Sequence, residues 1–204
     1  MLMRILSLIL KVFSHWIAVS FLLILLTTVE SFGQYKYEKE SRIHSSELPF
    51  QLDLDFDAYA GVKRLKWYKE LNVDQVHYEA KFRFEGSDYS VEFDSLGLLE
   101  DVEILCKSKD LPVLKRTSIE QYLNTNYKKW KITRVQKQYL IDFKTLDLAL
   151  KGAKLLSALE HQYELEIGVF EDGVQVDYEL LFNFNGTCIN IRTIINEPLL
   201  NLEF

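Results

Sequence analysis

The sequence has few of the short motifs by which enzymes and metal-binding proteins are recognised. It contains no GxSxG nucleophile motif, no glycine loop that could cradle a phosphate and no dinucleotide-binding fingerprint. After residue 33 its only histidines are His44, His77 and His161, none at zinc-ligand spacing and none in an HExxH frame. We therefore expect no enzymatic activity, no metal and no other cofactor, although a catalytic triad assembled from distant residues would leave no such motif.

One stretch resembles the start of a calcium loop, DLDFD at residues 53–57. Such a loop needs glycine at its sixth position and glutamate at its twelfth, where this chain has Ala58 and Arg64. We interpret the stretch as the exposed acidic face of a helix.

Basic residues are rarely clustered. The chain has 24 lysines and arginines against 30 acidic residues, a formal net charge of −6. A short basic cluster, YKKWK at residues 127–131, is interpreted as the solvated end of a helix that runs into a strand. Proteins that bind nucleic acid need grouped cations to neutralise phosphates, so we expect no nucleic-acid partner.

The opening of the chain differs from everything that follows. Two early cations precede an almost uncharged run from Trp16 to Val29, and small residues stand before Gln34. This pattern predicts a signal peptide over residues 1–33, cleaved between Gly33 and Gln34, and hence a periplasmic or secreted protein with no membrane association after cleavage. The alternative is an uncleaved membrane anchor.

Two stretches share one pattern, YSVEFDSLG at residues 89–97 and YELLFNFNG at residues 178–186. Each has tyrosine, phenylalanine four places later and glycine after four more. Around each, apolar and polar residues alternate as in half-buried strands, and turn residues separate three consecutive strands. The glycines fit turns that need a positive φ.

The same elements are predicted in both copies. A helix within residues 45–61 or 108–127 comes first, a short strand at 64–70 or 131–138 follows, and the three-stranded meander completes the unit. The first helix is ambiguous, because Leu52, Leu54 and Phe56 also alternate with aspartates as a strand would. The predicted fold class is α+β, a tandem repeat of a helix packed on a four-stranded antiparallel sheet.

The domain organisation follows from this repeat. The first copy is predicted at residues 34–108 and the second at 109–204, with an inserted amphipathic helix at about 142–161. Two separate cores are expected. They contain Phe82, Val91 and Phe93 in the first copy and Ile167, Leu180 and Phe182 in the second.

Three stretches of the first copy carry a family resemblance: SELP (46–49), LKWYKE (65–70) with Trp67, and YEAKFRFEGSDYSVEFDSLGLLEDVEI (78–104). In these stretches the chain resembles the PepSY-like family related to beta-lactamase-inhibitory proteins, which is common among secreted proteins of the Bacteroidetes. The resemblance implies a binding or inhibitor-like role toward another exported protein, through loops and the open sheet face.

The open sheet face is the predicted binding surface. Acidic residues outnumber basic ones there, so we expect a partner that is basic at the contact. The alternatives are a solvated face whose charge serves solubility and a carrier or sensor that holds a small ligand between the repeats. The candidate partner-binding residues are Glu79, Glu92, Asp94, Asp101, Glu103, Glu164, Asp177 and Glu179, against Lys81, Arg83 and Arg192.

Cysteine occurs twice, at Cys106 and Cys188, each on the last predicted strand of its copy. An exported protein can keep a disulfide, but opposite strand parity makes the required approach harder. The sequence is therefore compatible with two alternatives, a disulfide between Cys106 and Cys188 or two unpaired cysteines that serve as small buried residues.

Overall fold

The computed structural model describes residues 34–36, 39–72, 75–152 and 155–195. The predicted signal peptide therefore lies outside the described residues, and its cleavage stays a prediction. Among the helices in the described ranges, none is long and apolar enough to cross a bilayer.

Twelve regular elements form the fold, ten strands and two α-helices within the described residues. Four short 3₁₀ turns accompany them, two of which lie at Ser45–Glu47 and Phe56–Ala58. The elements are β1 (Gln34–Lys36), β2 (Lys39–Ile43), β3 (Lys63–Leu71), β4 (Val76–Phe84), β5 (Ser87–Phe93), β6 (Leu99–Leu105), α1 (Val113–Asn126), β7 (Trp130–Tyr139), α2 (Phe143–Leu150), β8 (Gln162–Glu171), β9 (Val174–Phe182) and β10 (Cys188–Ile194).

All ten strands belong to one sheet, in the order β1-β10-β9-β8-β7-β6-β5-β4-β3-β2. The strands predicted for the two copies are confirmed as β3–β6 and β7–β10, but the predicted fold class of two separate four-stranded sheets is wrong. β6 pairs with β7, for example Glu103 with Gln138, and β1 pairs in parallel with β10. An open edge on each sheet would leave a row of unpaired backbone groups, and pairing β6 with β7 satisfies them. The boundary at residues 108 and 109 stays a prediction.

The two edges of this sheet lie close together. β1 and β2 are the outermost strands, yet only residues 37 and 38 connect them. Successive Cα atoms are about 3.8 Å apart, so those of Lys36 and Lys39 lie within about 11 Å. A flat sheet of this size would be roughly 43 Å wide at about 4.8 Å between strands. The sheet therefore curls until its edges approach each other.

The first core packs on the outer, apolar face of β3–β6. Phe82, Val91 and Phe93 are buried in it, as predicted. The predicted helix over residues 45–61 is wrong, because the segment is extended apart from two short 3₁₀ turns. Leu54 and Phe56 are buried while the aspartates beside them are exposed. Burial therefore alternates every second residue, as in an extended chain, and does not follow the spacing of a helix.

The inserted segment of the second copy covers part of this first core. Leu146, Ala149 and Leu150 of α2 are buried against it, and the ring of Phe143 stacks on Phe93 at 6.1 Å between centroids. The helix predicted over residues 142–161 is confirmed only for its first half. It ends at Leu150, and Gly152 has a φ of 92° that a continuing helix could not adopt.

The second core matches its prediction. Ile167, Leu180 and Phe182 are fully buried under α1, which contributes Ile119 and Leu123. Both cysteines are half-buried beside this core and are unpaired in the structure, which corresponds to the second of the two alternatives.

The repeated tyrosine, phenylalanine and glycine pattern encodes one turn twice. After β5, Asp94 Oδ1 accepts hydrogen bonds from the backbone N–H groups of Leu96 and Leu98, both at 2.8 Å. After β9, Asn183 accepts the equivalent bonds at 3.0 Å. Gly97 and Gly186 complete these turns with φ of 85° and 83°, so the predicted need for glycine is confirmed.

Truncation of Phe93 or Phe182 to alanine should lower the free energy of unfolding by about 3–5 kcal/mol, because both rings are fully buried. Urea denaturation of the two variants measures the effect. Phe184→Ala is the matched control, since that ring is 46% exposed, and its change should stay within about 0.5 kcal/mol. Unchanged midpoints in both core variants would contradict the assignment of faces.

Candidate functional site: the polar face of the curled sheet

Carboxylates are buried on the inner, polar face of the sheet. We call this surface the polar face. Alternation along β4, β6, β8 and β9 places them opposite the apolar cores. Each is at most 8% exposed, which is unusual for acidic residues. The buried acids are Glu79, Asp101, Glu103, Glu164 and Glu179.

Uncharged side chains bind several of these carboxylates. The Ser90 hydroxyl donates to Glu79, and the Gln136 amide donates to Glu103. Gln138 Nε2 donates to Asp101 Oδ2 at 2.8 Å, while Asp101 Oδ1 accepts no hydrogen bond from the described residues. These bonds hold the acids in place without neutralising their charge.

Cations neutralise the acids at the two sides of the face. Lys81 Nζ lies 2.8 Å from Glu79 Oε2 and 3.0 Å from Glu40 Oε1. On the other side, Arg192 Nε donates to Glu179 at 2.6 Å, and Lys36 of β1 pairs with the same carboxylate. The centre of the face, around Asp101 and Glu103, is bound by amides instead.

This environment raises the pKa of the central acids. Burial is the main cause, and it raises the pKa of Glu164 to about 7, with Glu179 adding to the effect. Burial also places the pKa of Asp101 and of Glu103 well above the ordinary values, helped by the nearby charges of Glu92 and Glu164. Lys36 acts in the opposite direction on Glu103.

Three of the buried acids, Glu79, Glu103 and Glu164, line a groove of about 390 Å³ on the polar face, which we call the acidic groove. Both edges of the sheet reach it, because β1 supplies Lys36 and β2 supplies Glu40, while the central Glu103 lies between them. The polar face is thus the inside of the curl. A second hollow of about 300 Å³ continues past Asp101 and Glu92.

Two groups of three carboxylates could hold a cation. The oxygens of Glu92, Asp101 and Glu103 lie within 4.8 Å of one another, and so do those of Glu40, Glu70 and Glu79. Lys81 already pairs with the second group, which leaves the first as the better candidate for an added positive charge.

The structure brings six of the eight predicted site residues together. The five buried acids and the half-buried Glu92 share the polar face, although they were expected on an open sheet face. Asp94 instead caps the turn after β5. Asp177 lies near the turn of the β8–β9 hairpin, where the Gln175 amide donates to it at 2.7 Å.

Sequence reasoning missed much of the positive charge on this face. It counted Lys81, Arg83 and Arg192, but Lys36, Lys66 and Arg134 also lie there. Alternation along β7 puts Arg134 on the same side as Gln136 and Gln138, a signal that can be read only once the bulge before Arg134 is known. β-bulges in β3 and β7 shift the parity near Lys66 and Arg134, which hides the signal.

The melting temperature should be higher at about pH 5 than at about pH 8, because raised carboxyl pKa values make the folded state bind more protons than the unfolded state. The stabilisation that Glu164 contributes is complete at pH values below its ordinary pKa of 4.5, and it is lost as the pH rises through its raised pKa of about 7. The charged groups that act on it are Glu179, Lys36, Glu92 and Arg192.

Glu164→Gln should raise the melting temperature at about pH 8, by roughly 2–4 °C per kcal/mol, and should change it little at about pH 5. Calorimetry at the two pH values measures this. The exposed Glu120→Gln on α1 is the control. Equal melting temperatures of wild type and Glu164→Gln at both pH values would contradict the proposed cost of the buried charge.

Comparison with known proteins finds similarity among solved structures. No family model matches the chain, and no curated protein sequence does. A BLIP-like protein from Bacteroides fragilis is 16% identical, covers 71% of this chain and 84% of its own, and has a TM-score of 0.42. A DUF2874 family protein from Bacteroides uniformis is 17% identical over 67% of this chain and 82% of its own, with a TM-score of 0.45.

A second DUF2874 family protein, from Bacteroides ovatus, is also 17% identical over 67% of this chain and 80% of its own, with a TM-score of 0.43. The solved structures similar to this chain thus include a BLIP-like protein, the kind of protein that the sequence resemblance named, whereas its PepSY part stays a prediction.

Proposed function

We propose that this protein is a non-enzymatic, periplasmic or secreted binding module that takes a positively charged group of its ligand into the acidic groove. The observation that carries the proposal is the burial of five carboxylates on one face. The export signal predicted at the start of the chain and the lack of catalytic motifs support the location and the absence of chemistry.

The energetics favour a binding role for these acids over a stabilising one. Removing a carboxylate from water costs several kcal/mol, and apolar residues of similar size would serve the fold at least as well. Glu79 faces Glu92 across β4 and β5, and Glu92 faces Asp101 across β5 and β6, so like charges repel on neighbouring strands. A cation supplied by a ligand would offset both costs.

The shape of the groove limits what can enter. The buried acids are at most 8% exposed, so a flat protein surface would not reach them, whereas a lysine or arginine side chain would. Glu40 and Glu92 stand at more accessible positions and would meet such a group first. A basic side chain projecting from another exported protein is the ligand that we propose.

A small cationic molecule is the second candidate. The groove contains Glu103 from the first copy and Glu164 from the second, so a ligand held there would contact both copies. This arrangement supports the carrier or sensor role that the sequence left as an alternative.

Lysine substitutions at Glu40 and Glu92 test the proposal, because each places a positive charge where the ligand's cation would lie. The exported protein is immobilised and exposed to periplasmic extract from its own source. We expect each variant to retain its partner at least tenfold less, which corresponds to about 1.4 kcal/mol. Retention by wild type should also weaken as salt rises from about 0.05 to 0.5 M.

Glu120→Lys on the exposed side of α1 is the matched control and should retain the partner fully. Native mass spectrometry of the purified protein tests the second candidate, by showing a copurified cationic molecule that Glu92→Lys loses. If the variants fold, as circular dichroism shows, and bind like wild type in both assays, the acidic groove is not the ligand site.

A further inference from the structure

A second, oppositely charged groove lies on the polar face, at the end where β3 begins and β4 ends. We call it the basic groove. It has a volume of about 280 Å³, and one acidic residue, Asp88, contributes to it. Tyr68 also lines it, with Lys81 Nζ 4.9 Å from the centre of its ring. The cations that line it are Arg64, Lys66, Lys81, Arg83 and Arg134.

The cations differ in how far they are already paired. Lys81 is bound to Glu79 and Glu40, and Arg134 Nη1 lies 3.3 Å from Glu166. By contrast, Arg64, Lys66 and Arg83 have no carboxylate partner among the residues that the structure describes, and Arg83 donates instead to the backbone carbonyl of Gly86 at 3.0 Å. These three positive charges are exposed and are therefore accessible to an anionic ligand.

The backbone at Arg64 is strained. Its φ is 61°, in the left-handed region, and it is the one non-glycine residue with positive φ that lies inside a strand of the described part of the chain. The other two, Glu85 and Asp172, belong to hairpin turns. A left-handed conformation costs an arginine about 1 kcal/mol or more, and such strain is often found at binding sites.

Bulges in equivalent strands bring the two arginines to this groove. The register of β3 against β4 shifts between Lys63 and Lys66, on either side of Arg64. The register of β7 against β8 shifts between Ile132 and Arg134. β-bulges re-aim side chains, so the same device appears in both copies and serves one groove.

Like charges also face each other within the groove. Lys66 and Lys81 are direct partners across β3 and β4, a pairing that destabilises a sheet when nothing lies between the charges. The strain at Arg64, the two bulges and this repulsion all lie at one place. A bound anion would offset the repulsion between Lys66 and Lys81.

We propose that the basic groove binds the phosphoryl group of a small phosphate-bearing ligand. A phosphate carries up to two negative charges at neutral pH, and the three cations that lack carboxylate partners would neutralise them. Arginine forks bind tetrahedral oxyanions through paired hydrogen bonds, and lysine adds a point charge. The volume of about 280 Å³ leaves room for a phosphate and a small organic group, but not for a drug-sized molecule.

Binding of inorganic phosphate and of glycerol 3-phosphate is to be measured by isothermal titration calorimetry on the exported protein, at constant ionic strength. Sulfate and acetate serve as comparison anions. We expect phosphate to bind at least tenfold more tightly than acetate and measurably more tightly than sulfate. Tighter binding of glycerol 3-phosphate than of inorganic phosphate would identify the ligand as a phosphate ester. The reverse order would identify it as free phosphate.

Variants localise the site. Lys66→Gln and Arg134→Gln should each weaken phosphate binding at least tenfold, while Lys66→Arg should retain it. Lys131→Gln, an exposed cation on the same strand as Arg134, is the matched control and should bind like wild type. Folding of each variant is checked by circular dichroism.

The Arg64→Gly variant tests whether Arg64 binds phosphate or only maintains the structure. Glycine adopts the left-handed region without strain, so this variant should melt no lower than wild type without ligand, yet should bind phosphate at least tenfold more weakly. The proposal is overturned if sulfate or acetate binds as tightly as phosphate, or if these substitutions leave phosphate binding unchanged. Because none of these residues is replaced in the test of the acidic groove, the two proposals fail independently.

Discussion

The covalent link of two residues between β1 and β2 is the constraint on which this architecture depends. It joins the opposite edges of a ten-stranded sheet, so the sheet must curl. Curling gives the two faces different surroundings. The outer face has space for α1, α2 and the extended segment before β3, which cover the two apolar cores. The inner face is closed in by its own edges and becomes a narrow polar interior.

This interior explains how one face carries two kinds of groove. Side chains that would be solvated on a flat sheet are brought together, and their charges act on one another over short distances in surroundings of lowered dielectric. Amides from Gln136 and Gln138 fix the central carboxylates, and Lys81 stands where the acidic and basic regions meet. Lys81 and Arg134 line both grooves, so the acidic and basic regions adjoin on one face.

Local pattern was enough to predict the strands, the turns and the cores. Tyr78, Ala80, Phe82 and Phe84 alternate without ambiguity, and all four are buried. The extended conformation of the segment before β3 could not be predicted, because residues 52–57 fit both the helical and the strand period. The element that completes their core, α2, also lies far along the chain. The acids of the polar face were found by the same alternation. Their burial was not, because it depends on the curl, and Arg64 and Arg134 were missed because bulges break the parity on which the pattern relies.

The placement of α2 against the first core has a consequence for the order in which the chain folds. Phe93 of the first copy packs on Phe143, and Tyr59 donates a hydrogen bond to Asp147 at 2.6 Å. The first copy therefore cannot complete its core when its own strands have emerged, and must wait for residues 143–150 of the second. Contacts between such distant residues are slow to form, because a long loop must close first. A chain built this way completes its first core only after residue 150 has been synthesised.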